Sequence, residues 1–181
     1  MFFKRDTSRR DKLSTFIDDK DDRETPDHIF RALNARFRFT LDVAASGHNA
    51  KLPRFFSLDD DGLSQSWRGE RVWCNPPYSD LSSWVRKASI QEAELCVMLI
   101  PANRTDQKWW HRYIEPRRGD GTVWVEFLQG RVRFRFPPGD PRRGRAGDSP
   151  PFASCLLVFL GGDAILPKDR QASLDLGGAQ C

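Results

Sequence analysis

The sequence is organised around one stretch, Val72-Trp73-Cys74-Asn75-Pro76-Pro77-Tyr78-Ser79. Its first three residues are apolar and predict a short buried strand. Pro76 and Pro77 end that strand, because neither carries the N–H that a strand ladder requires. Pro76 also restricts Asn75 to an extended backbone. Residues 75–78, here called the Asn-Pro-Pro-Tyr corner, therefore form a stiff turn at the carboxyl end of a strand, where open α/β sheets bind ligands.

The chemistry suited to this corner is attack by a planar amino group on an electrophile. An amine conjugated to an aromatic ring is a poor nucleophile because its lone pair is delocalised. The side-chain carbonyl of Asn75 and the main-chain carbonyl of Pro76 can accept its two N–H bonds and favour the pyramidal form. Tyr78 can stack on the ring. A plain strand-ending turn would have the same sequence, so the corner alone does not decide between the two.

The composition is that of one globular domain: 181 residues, 39% hydrophobic and 30% charged. No apolar run approaches the roughly 18 residues that a membrane span needs. The amino terminus lacks the hydrophobic core of a signal peptide, so we expect a cytoplasmic protein with no membrane partner. The four cysteines show no paired spacing. We therefore predict neither a metal site nor a disulfide.

The distribution of charge is more informative than the net charge of +4. Residues 1–24 carry seven basic and seven acidic side chains, which cancel. Residues 101–145 carry eleven Arg or Lys against five Asp or Glu. We therefore expect a polyanion to bind the second half of the chain.

The chain divides into three parts. Residues 1–22 are charged and poor in apolar side chains, which predicts a flexible arm. Residues 23–162 form the domain, and residues 163–181 form a polar tail. A helix is predicted to begin with Thr25 at the cap and Pro26 in the first turn.

Strands and helices then alternate, which predicts an α/β fold with a parallel, doubly wound sheet. The strands expected are 39–46, the short Phe55–Leu58, 72–74 and the wholly apolar 95–101; helices are expected over 81–94 and 106–115.

The carboxyl-terminal part of the domain differs. Residues 123–128 lead through Gln129-Gly130 into 131–136, whose strict alternation puts three arginines on one face and three apolar residues on the other. The arginines are Arg131, Arg133 and Arg135. A basic loop, 137–151, separates this segment from a final strand at 152–160. We therefore expect the mostly parallel sheet to end in an antiparallel hairpin.

Acidic residues follow the first two predicted strands. Asp42 can bind a cationic ligand group or cap the next helix. Asp59-Asp60-Asp61 begins 17 residues later, near the spacing at which nucleotide-binding folds place a ribose-binding carboxylate. A solvated turn is the alternative for that group. The small residues Ala44, Ala45 and Ser46 permit close approach of a ligand to the backbone.

Taken together, these segments resemble the small phage-encoded Dam-type DNA N6-adenine methyltransferases over about residues 25–160. The matching pieces are Thr25-Pro26 with Ile29-Phe30, Leu41 to Ser46, Asp61-Gly62-Leu63 with Trp67, Val72 to Ser79 with Trp84, Gly130 to Phe134, and Pro151 to Ser154.

The resemblance implies a Rossmann-like methyltransferase fold and S-adenosylmethionine as methyl donor. It places the catalytic role on Asn75, Pro76, Pro77 and Tyr78. Donor contacts fall on Thr25, Pro26, Asp42, Ala44, Asp59, Asp61 and Asn75. The first loop departs from the glycine-rich form of many methyltransferases. The sulfonium donor is already activated, so the expected in-line transfer to adenine N6 requires no metal.

The substrate implied is double-stranded DNA with the target adenine flipped out of the stack, and no obligatory protein partner is implied. Only eight residues separate Leu63 from Val72, which leaves no room there for a target-recognition domain. Specificity must therefore come from the basic loop, the arginine-bearing segment or loops such as 103–106. The expected DNA contacts are Arg104, Arg131, Arg133, Arg135, Arg142, Arg143 and Arg145.

Other functions remain open. The same corner serves methyltransferases that act on cytosine N4 or on a glutamine amide. The basic second half favours nucleic acid over protein, and Asn at position 75 favours adenine. A non-catalytic DNA-binding protein could keep the fold, but binding alone would require neither Asp42 nor an intact corner.

Overall fold

The structure is a computed structural model that describes residues 21–90, 93–140 and 150–162. Its helices are α1 (Asp27–Phe37), α2 (Leu81–Ile90), α3 (Lys108–Tyr113) and α4 (Glu115–Asp120), and a 3-10 turn, Tyr78–Asp80, precedes α2. Its strands are β1 (Leu41–Asp42), β2 (Arg71–Cys74), β3 (Leu95–Pro101), β4 (Val123–Phe127) and β5 (Ser154–Leu160). None of the described helices is both long and apolar enough to cross a membrane.

The strands form one sheet in the order β1-β2-β3-β5-β4. β1, β2 and β3 are parallel, with Asp42 opposite Trp73 and Cys74 opposite Met98. β5 is antiparallel to both of its neighbours, β3 and β4. β4 therefore runs in the same direction as β3, and the carboxyl ends of β1 to β4 all lie at one edge of the sheet. This edge is called the carboxyl edge below.

Both faces of the sheet are covered, which explains why β3 is buried at every residue. One face packs against α2 and α3 through side chains such as Trp84, Val85 and Trp110. The other face packs against α1, which buries Ile29, Phe30, Leu33 and Phe37 at the spacing of an amphipathic helix. The expected mixed α/β architecture with parallel strands is confirmed.

Two predicted strands are wrong. Phe55–Leu58 contributes only a single parallel bridge, between Phe55 and Asp42 of β1. Residues 131–136 are extended but do not join the sheet, so β4 pairs with β5 instead of with the predicted hairpin partner. The alternation itself is confirmed, because Val132, Phe134 and Phe136 are buried while the arginines between them are exposed.

The physical reason is that the apolar face of 131–136 packs on the sheet rather than continuing it. Val132 and Phe134 join the core between α1 and the sheet, beside Trp73 and Val97. The segment thus acts as part of the layer that covers the sheet. Its main-chain pairing is with the segment before α1: Glu24 and Arg135 exchange two N–H···O bonds, each 2.9 Å long.

Candidate functional site

The Asn-Pro-Pro-Tyr corner lies at the carboxyl edge, directly after β2. Cys74 ends the strand, and Pro77 is the cap of the 3-10 turn that leads into α2. Pro76 is buried, whereas Asn75 and Tyr78 are half-buried. The two prolines thus carry the chain from a buried strand to a helix in four residues, as the sequence predicts.

The side chain of Asn75 is fixed from one side. Its Nδ2 donates a hydrogen bond to the main-chain oxygen of Arg23, at 3.2 Å. The hydroxyl of Tyr78 lies 3.4 Å from its Oδ1. Because the amide nitrogen is engaged by Arg23, the oxygen is the atom that the carboxamide offers to a bound group.

Tyr78 is anchored at both ends. Its hydroxyl donates to the main-chain oxygen of Leu99 in β3, at 3.3 Å. Its ring meets the rings of Phe134 and Phe152 edge-on, with centroids 6.0 and 5.9 Å away. Burial raises the pKa of the Tyr78 phenol well above its ordinary value. The side chain is therefore neutral, and it contributes shape and stacking surface rather than a charge.

A short segment at the start of the described chain, residues 21–24, crosses the carboxyl edge; it is called the strap below. Asp21 Oδ1 accepts the main-chain N–H groups of Tyr78 and Ser79, at 2.7 and 3.3 Å. Asp22 Oδ1 lies 3.0 Å from His48 Nε2 and 3.1 Å from Asn49 Nδ2. The strap thus joins the loop after β1 to the corner after β2.

The strap and the corner together line a small cleft that is open to solvent. The lining residues are Asp21, Arg23, Asn75, Pro76, Tyr78 and Phe134. Asp21 and Arg23 are not among the predicted site residues: Asp21 lies in the predicted arm, 1–22, and Arg23, at the start of the predicted domain, has no assigned role. The mixed acidic and basic residues of this segment do not indicate which carboxylate contacts the Asn-Pro-Pro-Tyr corner.

Thr25 differs from its predicted role as helix cap. The cap of α1 is Pro26, and no side chain there accepts a cap hydrogen bond. Thr25 is only 2% exposed, and its Oγ1 has no hydrogen-bond partner within the described ranges. A buried hydroxyl of this kind is available to a ligand. The contact of Thr25 and Pro26 with a methyl donor stays a prediction.

Asp42 closes the loop that follows β1. Its Oδ2 accepts the N–H of Lys51 at 3.0 Å, and its Oδ1 lies 3.5 Å from the N–H of Ala44. The alternative role as a helix cap is wrong, because residues 43–51 contain no helix. Asp42 is 2% exposed. Desolvation raises its pKa from 3.8 to about 6, although the two hydrogen bonds act to lower it. A contact with the donor stays a prediction for Asp42 and Ala44.

The acidic group 59–61 lies at the surface. Asp60 is used internally, since its carboxylate accepts both the N–H and the hydroxyl of Ser57. Gly62, which follows, is packed so closely on the loop after β1 that an added Cβ would lie 2.2 Å from the oxygen of Val43. Asp59 and Asp61 are thereby held beside that loop, and their donor contacts stay predictions.

Lys51 is the centre of a partly buried ion cluster that sequence reasoning also missed. Its Nζ lies 2.9 Å from Glu24 and 2.7 Å from Asp27, and its side chain is 7% exposed. Arg135 completes the cluster, 3.2 Å from Asp27. The hydrogen bond from Lys51 lowers the pKa of Asp27. The cluster ties the loop after β1, the strap and α1 to the arginine-bearing segment.

The arginines expected to contact DNA fall into three groups. Arg131 and Arg133 are exposed, whereas Arg135 is engaged with Asp27. Arg104 lies in the loop after β3, and its buried Nε has no hydrogen-bond partner in the described part of the chain. The remaining three, Arg142, Arg143 and Arg145, lie outside the described residues.

No metal site is found where the structure describes the chain. Within 21–90, 93–140 and 150–162, no three His, Cys, Asp or Glu side chains are grouped to hold an ion. Cys74, Cys96 and Cys155 are free and buried.

The raised pKa of Asp42 predicts a pH effect on stability. Because the folded state binds the proton more tightly than the unfolded state, this carboxyl lowers stability as pH rises from about 4 to about 6. The loss amounts to about 3 kcal/mol. Asp42→Asn removes this pH-dependent loss. The unfolding free energy of the variant, relative to that of the parent, should therefore be higher at pH 7 than at pH 4. Urea unfolding at both pH values measures this.

The matched control is Asp60→Asn, because hydrogen bonds from Ser57 lower the pKa of Asp60. The contribution of Asp60 to stability is lost only as pH falls below about 4, so the control should leave the difference nearly unchanged between pH 4 and pH 7. A pH-independent difference for Asp42→Asn would show that the pKa of Asp42 is not raised in the folded state.

Comparison with known proteins agrees with the geometry. The profile of the family described as "DNA N-6-adenine-methyltransferase (Dam)" matches residues 12–160. The "DNA N-6-adenine-methyltransferase" of Haemophilus phage HP1 (strain HP1c1) is 33% identical over 104 residues, which cover 55% of this chain and 60% of that protein. The protein of the same name from Escherichia phage T1 is 31% identical over 107 residues, covering 56% of this chain and 43% of that protein.

A third relative, "Putative methyltransferase YfdM" of Escherichia coli (strain K12), is 37% identical over 62 residues, covering 30% of this chain and 67% of that protein. The chain spans about half the length of the two phage relatives. The family profile, in contrast, covers the strap, the loop after β1, the corner and all five strands. On this match the chain belongs to the DNA N-6-adenine-methyltransferase (Dam) family.

Proposed function

We propose that this protein transfers a methyl group from S-adenosylmethionine to the N6 amine of adenine in double-stranded DNA. The observation that carries the proposal is the Asn75 carboxamide, held by Arg23 so that its oxygen is the group offered at the carboxyl edge. Membership of the family supports the reaction class. Because two relatives are phage proteins, the expected site of action is a host cytoplasm.

A Rossmann-like methyltransferase arrangement is part of the proposal. Three parallel strands, with an antiparallel strand inserted between β3 and β4, support it. In such sheets the ligand lies outside the carboxyl ends of the strands. The donor would then contact the loops after β1 and β2 and the segment before α1. The residues assigned to it are Thr25, Pro26, Asp42, Ala44, Asp59, Asp61 and Asn75.

Two features of these residues fit the donor. The buried hydroxyl of Thr25 has no hydrogen-bond partner among the described residues, so it can bond to a polar group of a ligand. The carboxylate of Asp42 is buried beside the loop that such a ligand would contact, and its charge suits a cationic molecule. The donor supplies a methyl group on a sulfonium, which is a good leaving group.

The corner would act on the nucleophile. Asn75 Oδ1 and the main-chain oxygen of Pro76 accept the two N6–H bonds and withdraw the lone pair from conjugation with the ring. The new N–C bond forms as the C–S bond of the donor breaks, and the amine then loses one proton to solvent. Such a site gains its rate from orientation and from polar groups aimed at the charge that develops on nitrogen.

Flipping of the adenine is required, because N6 inside a duplex cannot reach this cleft. Tyr78, Phe134 and Phe152 form an aromatic group beside Asn75. Their rings can replace part of the stacking that the base loses. Pro77 fixes the turn that presents Tyr78.

We expect Arg131 and Arg133 to contact the DNA backbone. Replacing both with Ala should remove two phosphate contacts, so the plot of log K against log salt should flatten by roughly 0.9 per contact. Donor affinity should stay the same. Fluorescence anisotropy of a duplex over a salt series measures the slope. The control is Arg31→Ala with Arg86→Ala, two exposed arginines on α1 and α2; a slope that changes equally in both double variants would contradict the assignment.

Arg104, Arg135, Arg142, Arg143 and Arg145 remain proposed DNA contacts. The last three can be tested together by the same salt series on a triple Ala variant. A slope flattened by up to about 2.7 is expected if all three bind phosphates. An unchanged slope and affinity would leave the segment 131–135 as the better candidate.

The experiment that tests the proposal is expression of the chain in a bacterial host without N6-adenine methylation. The nucleosides of the plasmid DNA and, separately, the total protein would then be analysed by mass spectrometry. We expect N6-methyladenine in the plasmid DNA. N4-methylcytosine or methylglutamine in its place would assign the corner to one of those substrates, and no new modification would favour a non-catalytic binding protein.

A further inference from the structure

Arg23 is a strap residue that contacts Asn75 directly, and the expected catalytic set did not include it. It lines the cleft together with Asn75 and Tyr78. Its main-chain oxygen accepts the hydrogen bond from Asn75 Nδ2. Its guanidinium carbon lies 3.5 Å from the centre of the Phe136 ring, in stacking contact. One residue thus connects the corner to the arginine-bearing segment.

The position of the Arg23 carbonyl is fixed by contacts on both sides. After Arg23, the main chain of Glu24 exchanges two hydrogen bonds with Arg135, each 2.9 Å long. At Arg23 itself, the guanidinium stacks on Phe136, which is 3% exposed. Before Arg23, Asp21 is bonded to the N–H groups of Tyr78 and Ser79. The carbonyl therefore has little freedom to leave Asn75.

This contact decides which end of the carboxamide faces the substrate. An amide side chain has one end that accepts hydrogen bonds and one that donates them. A half-turn of the Asn75 amide would offer an NH₂ group to the target amine, which cannot activate it. The Arg23 carbonyl can accept a hydrogen bond from Asn75 only when the amide NH₂ faces it, and in that orientation the Asn75 oxygen faces the substrate.

We propose that Arg23 is a positioning residue for Asn75: the stack of Arg23 on Phe136 holds the Arg23 carbonyl, and that carbonyl holds the Asn75 oxygen toward the substrate amine. The inference rests on the proposed function for the identity of that amine. It extends the catalytic unit from the corner to a residue 52 positions earlier in the chain. Arg23 acts through Asn75 and need not touch the substrate.

The test is a double-mutant cycle with Arg23→Ala, Phe136→Ala and the combined variant. We expect each single change to lower kcat for DNA methylation on the order of 10- to 100-fold, because small misplacements of a catalytic group are costly. The donor Kd should stay within about twofold. The combined variant should lose no more than the poorer single variant, because both changes break one contact. Arg31→Ala, at an exposed arginine on α1, is the control and should leave kcat unchanged.

A second readout does not depend on activity. The side-chain NH₂ signals of Asn75, assigned by their absence in Asn75→Ala, report the hydrogen bond to Arg23 by NMR. In the parent one proton should be shifted and protected from exchange, and in Arg23→Ala the shift and protection should be lost. If Arg23→Ala does not fold, Phe136→Leu, which keeps an apolar side chain but removes the ring, takes its place.

Asn75 signals and kcat that do not change in Arg23→Ala would overturn the proposal. So would full additivity in the cycle, since it would mean that the two side chains act separately. A parent that methylates no DNA but shows the protected Asn75 proton, lost in Arg23→Ala, would sink the proposed reaction while leaving the positioning contact established.

Discussion

Replacement of Asn75 with alanine is expected to abolish methyl transfer and to leave donor affinity nearly intact, because six other residues are proposed to share the contact with the donor. The change removes the side-chain oxygen that accepts the N6–H bond, and the loss of one such preorganised group costs about 10²- to 10³-fold in rate. The loss should exceed this figure, because the hydrogen bond to Arg23 is lost with it. Calorimetry with S-adenosylmethionine and a methylation assay on the same protein separate the two effects.

A suitable control is Asn34→Ala. The Asn34 side chain accepts the N–H of Phe39 at the end of α1, on the amino side of the sheet. The control should cost about 1 kcal/mol of stability without changing the rate of transfer. If Asn75→Ala methylates DNA at nearly the parent's rate, the corner has no catalytic role; if donor affinity falls as far as the rate does, Asn75 serves the donor instead.

The largest effect on stability is expected at Lys51. Lys51→Met keeps an apolar stem but removes the charge between Glu24 and Asp27. Glu24, whose side chain is 10% exposed, would then lose the ammonium that lies 2.9 Å away, while the Arg135 guanidinium remains 4.0 Å away. Loss of one partner of a buried ion pair costs about 3–5 kcal/mol. We expect a value near the lower end, because Arg135 still offsets part of the charge.

Urea unfolding measures this change, with Lys108→Met as the control because Lys108 is exposed at the start of α3. A combined Lys51→Met, Glu24→Gln variant should regain part of the loss, since the charge of Glu24 is then removed together with that of Lys51. Donor affinity should also fall in Lys51→Met, because the loop after β1 loses one of its ties to the strap. Equal effects of Lys51→Met and Lys108→Met would mean that the cluster contributes no more than surface charge.

Several features were predictable from local sequence because local physics determines them. Two prolines after an apolar run end a strand whatever surrounds it, so the corner is where it was expected. The helical spacing of Ile29, Phe30, Leu33 and Phe37 identifies the buried face of α1. The unbroken apolar run of β3 indicates a strand covered on both sides.

The errors come from contacts between distant parts of the chain. Alternation in 131–136 fixes which side chains are buried, but it does not say whether their partners are a neighbouring strand or the face of a sheet. The strap is a similar case. Asp21 meets Tyr78 across 57 positions, and Arg23 meets Asn75 across 52. No local pattern distinguishes these residues from a solvated run of mixed charge.

The most direct measurement of the central claim is a single turnover with purified protein. The protein, in excess over methyl-labelled S-adenosylmethionine, is mixed with unmethylated duplex DNA of mixed sequence, and the DNA is digested to nucleosides. The proposed reaction predicts that the label appears in N6-methyladenine with the parent and not with Asn75→Ala. Label in N4-methylcytosine, or equal label in N6-methyladenine from both proteins, would contradict it.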